Sequence, residues 1–364
     1  MLNAVSPITN AIYYPVPTLD TRVRQNWCVN INAVDDFVRS ISTTTYQNPA
    51  AGNLRKISTI ASNVHPAASE VTPQQIKTMA AKIRGMAVSF REQFQAFVDN
   101  ISNITGAKST ARIKGDYGIA SLENKISREM QRPHQGALVE AINKGDADKA
   151  MERIFDLFGT RFLAKDQTEI DKVYKAVYSA IENGELRPEM IANYAGRGIK
   201  PYFTKKQLLE LAALGEKMGY MNVEYTKTPS RIDITKDGYT SAHVSGKINV
   251  IKNGLKKPVP LPTEIQIRTE NIQEISEAIH IPYDIWNGKN ILQDKSQIEQ
   301  ELLSPIVQAF QDIKAKNLID KFYKYQTDCI RITKEGGKTL PKPQEYGLPE
   351  SVSIEKIIEL KKKL

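Results

Sequence analysis

The chain has 364 residues, 41% of them hydrophobic, enough for one large domain or for a catalytic domain with substantial flanks. With 50 Lys and Arg against 41 Asp and Glu it carries a net charge of +9, a balance that suits phosphate-rich ligands or nucleic acid. No run approaches the ~20 apolar residues needed to cross a bilayer, the first residues lack a basic-then-apolar secretory pattern, and Cys28 and Cys329 stand too far apart in sequence to support a disulfide framework or a thiolate metal site.

Residues 1–75 are rich in Ser, Thr, Asn, Ala and Pro, with few charges and no sustained period, so a loosely ordered segment with an export or regulatory role is expected there. From Thr72-Pro73 onward Ile83, Met86, Phe90, Phe94 and Phe97 recur at three- and four-residue steps. That spacing predicts one long helix closing near Gly106. A second helix, from about Gly118 to Arg132, sets Leu122, Ile126 and Met130 on one face and Ser121, Lys125, Arg128 and Arg132 on the other. A first strand is expected around Ile154 to Ala164, with helices at 135–153, 167–183 and 205–218. Strands near 222–226, 230–235, 239–251 and 258–269 follow, then helices at 270–281 and 295–326 and a short Lys-ended helix, Ser353 to Leu364. The sum is an α/β (α+β) domain, helices on a mixed sheet, over residues 76–294, with a C-terminal helical extension over 295–364 and no internal repeat.

Chemistry concentrates at four places. A strand alternates its faces, so Tyr239, Ser241 and His243 point one way. Glu264, Gln266 and Arg268 likewise share a face whose reverse, Ile265 and Ile267, belongs to a core. Arg112 and Lys114, followed by Ser121 and Lys125 one helical turn apart, offer the converging cations and hydroxyl that a triphosphate needs. Asp156, in an otherwise apolar strand, must be paired, capped or metal-bound, because an uncompensated buried charge is very costly.

Together the run Gly238-Tyr239-Thr240-Ser241-Ala242-His243, the run Glu264-Ile265-Gln266-Ile267-Arg268-Thr269 and the upstream basic helix resemble the synthetase domain of the RelA/SpoT family over roughly residues 105–290. These are the (p)ppGpp-making pyrophosphokinases, with a nucleotidyltransferase-type fold. The resemblance implies an ATP site at Arg112, Lys114, Ser121 and Lys125, with more residues between Lys114 and Ser121 than the family pattern has. Through Asp156-Leu157-Phe158-Gly159-Thr160-Arg161 it implies that Asp156 binds Mg2+ and that Arg161 stacks on adenine opposite Arg112. Tyr239 becomes the platform for the acceptor base, His243 and Lys236 contact the acceptor or its phosphates, and Gln266 and Arg268 hold neighbouring groups. Glu264 then activates the acceptor 3'-hydroxyl, directly or as a second Mg2+ ligand. Gln273 and Ser276 stand where small alarmone synthetases have an Asn and a small residue beside guanine, which leaves guanine, adenine and a tRNA 3' end open as acceptors. Glu277 and His280 correspond to the family's closing Glu and His, read as braces of the fold.

The four histidines, His65, His134, His243 and His280, are scattered and form no His-Asp pair, so a product hydrolase is not expected. A synthetase without a brake is toxic when unregulated. A toxin or secreted bacterial effector acting in the cytoplasm is therefore the expected role, with an immunity protein, chaperone or antitoxin as its partner. The alternative from another class is a nucleotide-binding regulatory module without catalysis.

Overall fold

The computed structural model describes residues 71–116, 118–132, 136–220, 232–251, 257–286, 288, 290–292 and 295–363. The segment expected at 1–75 lies almost wholly outside these residues, as do Cys28 and the strand expected near 222–226. Residues 71–363, where described, belong to one compact unit.

Helix α1 (Pro73–Val88) starts on a capping box, Thr72 with Gln75, and Pro73 takes the first-turn position where a missing N–H costs nothing. The single long helix expected to Gly106 is broken. The Ser89 hydroxyl donates back to the Met86 carbonyl at 2.7 Å, competing with helical pairing, and α2 (Arg91–Thr105) begins afresh after Phe90. Strand β1 (Lys108–Ile113) follows, then α3 (Ile119–Met130). The helix expected over 135–153 is likewise two, α4 (Gly136–Lys144) and α5 (Ala147–Met151), with Asp146 capping the second through Lys149 N at 3.1 Å.

Strand β2 (Phe158–Ala164), α6 (Gln167–Glu182), β3 (Leu186–Gly196), α7 (Lys205–Lys217), β4 (Asp233–Thr235), β5 (Ser241–Val250) and β6 (Val259–Thr269) complete the sheet region. Helices α8 (Glu270–Ala278), α9 (His280–Trp286), α10 (Gln297–Ala315), α11 (Ile319–Lys334) and α12 (Ile354–Lys363) close the chain. The helix expected over 295–326 therefore also divides, at Asn317, which takes the left-handed conformation (φ 55°) that Asn tolerates.

The six strands form one mixed sheet in the order β1-β2-β6-β5-β3-β4, with β2 parallel to β6, β3 parallel to β4 and the other neighbours antiparallel. Fold class is thus α/β with a mixed sheet flanked by helices, as the sequence suggests. Phe158, Phe162, Ala242, Val244, Ile265 and Ile267 face a core shared with helices on one side. The opposite face carries the polar residues. A second core joins α8 to the C-terminal helices through Ile272, Ile275, Phe310, Phe322, Tyr325 and Ile330.

Candidate active site

Sheet register builds the site. His243 pairs with Gln266, Ser245 with Glu264, Gly159 with Glu264 and Arg161 with Gln266, while Arg112 pairs with Gly159. Since neighbours across a sheet share a face, Arg112, Arg161, Glu264, Gln266, Arg268, Ser241 and His243 all project from one surface. Arg112 lies over Gly159: a Cβ there would sit 3.2 Å from its Nε, so the glycine leaves room for the guanidinium.

Five side chains close a ring. Gln266 Nε2 donates to Glu264 Oε2 at 2.7 Å, and Arg268 Nη2 donates to Gln266 Oε1 at 2.9 Å and to the Tyr239 hydroxyl at 3.0 Å. Tyr239 Oη lies 2.9 Å from His243 Nε2, and His243 Nδ1 lies 3.4 Å from Glu264 Oε1. Arginine only donates, so the tyrosine's own proton is free to go to Nε2, which places the imidazole N–H on Nδ1, facing the carboxylate. Burial opposes ionisation of Glu264, but the pull of His243, the Gln266 amide and Arg112 outweighs it and brings the carboxyl down to about 2. Such a group is a feeble proton acceptor at neutral pH and a good hard-cation ligand.

Arg268 is 0% exposed, with its guanidinium 5.3 Å from the Tyr239 ring centroid. Expected to meet the acceptor, it instead supports Tyr239 and Gln266 from beneath, as its burial dictates. Tyr194 completes an aromatic cluster, its ring 4.9 Å from His243 and 6.0 Å from Tyr239. It lies on β3, a strand without the alternating apolar period that marks its neighbours in the sequence.

Asp156 does not lie in a strand. It takes the left-handed conformation (φ 57°) in the turn two residues before β2, so strict alternation never relates it to Arg161. Its carboxylate meets Lys125 at 2.5 Å and Lys114 at 3.5 Å, and Lys114 is itself positioned by its N–H donating to the Leu157 carbonyl at 2.8 Å. Lys125, expected among the triphosphate-binding cations of the α3 basic face, is 5% exposed and also pairs at 2.7 Å with Glu129, which is fully buried. Burial lowers the Lys114 ammonium's pKa below its ordinary value. Ser121 is exposed and donates to the Gly118 carbonyl at 2.9 Å.

Arg161 donates to Gln266 Oε1 at 3.2 Å and to Glu277 Oε1 at 3.4 Å; burial, with Arg268 nearby, brings its pKa down to about 10, still cationic at neutral pH. Glu277 also takes the Gln273 amide N–H. Gln273 Oε1, Ser276 Oγ and two nitrogens of Arg268 are buried without a hydrogen-bond partner among the described residues. Asp237 accepts from Tyr239 N at 3.1 Å and so caps its own loop. Lys236 is exposed on that turn, and no site contact involves it among the described residues.

No family model and no curated protein matches the chain. Among solved structures it is similar to small alarmone synthetase 2 from Bacillus subtilis, at 17% identity over 65% of this chain and 95% of that one, with a TM-score of 0.33. Small alarmone synthetase 1 from the same organism is 14% identical over 65% of this chain and 98% of that one, TM-score 0.35. A GTP pyrophosphokinase family protein from Streptococcus pneumoniae is 15% identical over 70% of this chain and 92% of that one, TM-score 0.26. At these scores the likeness carries no weight by itself; the motifs and the site geometry do.

Among the described residues no three His, Cys, Asp or Glu side chains converge as a ready-made metal site. Mg2+ does not require one, since it is usually held by one or two carboxylates together with substrate phosphates. Asp156, in the turn leading into β2 with its Oδ1 against the Lys125 ammonium at 2.5 Å, and the ionised Glu264, on the adjacent parallel strand, are hard oxygen donors of the kind that role needs. No helix of the described residues is long and apolar enough to cross a membrane.

Proposed function

We propose that the protein transfers the pyrophosphoryl group of ATP to the 3'-hydroxyl of a purine nucleotide, releasing AMP. One observation carries this reading. The Glu264 ring shares one sheet face with Arg112 and Arg161, and the Asp156-Lys114-Lys125 cluster gathers at the adjoining ends of β1 and β2, where Lys114 follows β1 and Asp156 precedes β2.

In this reading Arg112, Lys114, Ser121 and Lys125 receive the triphosphate, and Arg161 lies against adenine. Asp156 and Glu264 would hold Mg2+, which when bound neutralises phosphate charge and favours loss of the acceptor's proton. Lys125 remains anchored on Glu129 when the Asp156 carboxylate is shared, because Glu129 is buried and cannot turn to water. Tyr239 offers its ring to the acceptor base, a contact that is tolerant among purines. The unpartnered Oε1 of Gln273, on a half-buried side chain, supplies an acceptor to a base edge. His243 orients Glu264 and the Tyr239 hydroxyl. Toxicity of the product, as toxin or secreted effector, belongs to the same reading.

The test uses purified protein, Mg2+ and γ-labelled ATP with GDP, GTP, ADP, ATP or bulk tRNA in separate tubes. Label is expected on a mononucleotide acceptor, with turnover only weakly dependent on salt. Label on tRNA alone, with affinity falling steeply as salt rises, would move the reading to the tRNA 3' end. Binding of ATP without transfer to any acceptor would replace the enzyme by a nucleotide-binding module.

A further inference from the structure

The C-terminal helices reach the site from two directions. On α11, Gln326 is 2% exposed, and its Nε2 donates to the Asp237 carbonyl. The next residue of that loop, Gly238 (φ 74°), approaches the same helix so closely that a Cβ would lie 2.7 Å from Thr327 Cα. Thr235 Oγ1 donates to the Tyr239 carbonyl at 2.9 Å from the other end of the turn. The loop that delivers Tyr239 is thus held on α11 by a buried side chain and a close backbone approach.

On α12, Lys361 donates to the Glu277 carbonyl at 3.2 Å and lies 3.5 Å from its Oε2. Glu277 Oε1 in turn takes Arg161 and Gln273. Its neighbour Lys362 pairs instead with Glu274, 3.0 Å away on open surface, and touches nothing that leads to the site.

We infer that Gln326 and Lys361 are positioning residues: Gln326 fixes the loop presenting Tyr239 to the acceptor, and Lys361 fixes Glu277 and through it Arg161 on the ATP side. The kinetic half of this inference rests on the proposed function. The structural half rests on the contacts alone.

Loss of Gln326 leaves a half-buried carbonyl without its donor, worth about tenfold in the population of the held loop. Lys361 is one-third exposed, so its effect is smaller, about threefold.

The experiment measures KM for both substrates and amide hydrogen exchange in the intact protein. Gln326→Ala is expected to raise the acceptor KM about tenfold with the ATP KM unmoved, and to speed exchange over residues 237–243 while α8 keeps its rate. Lys361→Ala is expected to raise the ATP KM about threefold and the acceptor KM by a smaller factor, because Glu277 also takes Gln273; Lys361→Arg restores both, and Lys362→Ala matches wild type. Equal rises in both KM values, or unchanged values, would overturn the inference, as would unaltered exchange over 237–243. If the wild type transfers nothing to any acceptor, the proposed function fails while the exchange data still decide whether the loop is clamped.

Discussion

Glu264 sits where three influences compete: burial raises its pKa, while His243 and the Gln266 amide lower it, and the balance falls at about 2 against an ordinary 4.5. A carboxylate depressed in the folded state stabilises the fold fully above its unfolded value and loses that contribution as pH falls through the folded one. Wild type should therefore lose stability relative to Glu264→Gln as pH drops from about 4.5 toward 2, measured as the difference in Tm at each pH. A constant difference across that window would show that the carboxylate is not held as the ring describes. The identity of Glu264, Gln266 and Arg268 as one face was readable from alternation alone. That Arg268 lies beneath the ring was not, because a period of two says which face a side chain takes and nothing of how deep it is buried.

Among the elements, the strands with alternating apolar residues were legible and those without were missed. Strand β1, Lys-Ser-Thr-Ala-Arg-Ile, is an edge strand with one large apolar residue, and β3 carries Pro188 at a register shift against β5. Neither reads as a strand by period. Helix positions were legible, but four were drawn too long, since breaks at Ser89, Gly145, Ile279 and Asn317 are set by local hydrogen bonds and backbone conformation while the apolar stripe runs on. Asp156 was placed in a strand for the same reason: Ile154, Leu157 and Phe158 continue the apolar run across a left-handed turn. The loop before β5 makes a sharper prediction. Gly238→Ala meets both a positive φ and the α11 backbone, so it should cost about 1–3 kcal/mol in urea unfolding. A neutral result would mean that the loop does not rest on α11.

At the scale of the molecule, two cores meet around the polar face of the sheet. The first, under the sheet, fixes the strands that carry Arg112, Arg161, His243 and Glu264. The second, between α8 and the C-terminal helices, fixes Gln273 and Glu277 from the far side. Residues distant in sequence, Arg161, Glu264, Gln273 and Lys361, therefore converge only through tertiary packing, which is why the motifs were legible and their mutual support was not. A net charge of +9 favours phosphate-rich ligands in general without choosing among them. The central claim is that Asp156 and Glu264 make this face a pyrophosphoryl-transfer centre. The most direct measurement is acceptor-dependent AMP formation from ATP by wild type, Asp156→Asn and Glu264→Gln, with ATP binding measured in parallel. Wild type should form AMP and a 3'-pyrophosphorylated nucleotide in equal amounts; both variants should lose about a hundredfold or more in turnover, with Glu264→Gln still binding ATP. AMP formation unchanged in Glu264→Gln, or absent from the wild type with every acceptor, would contradict it.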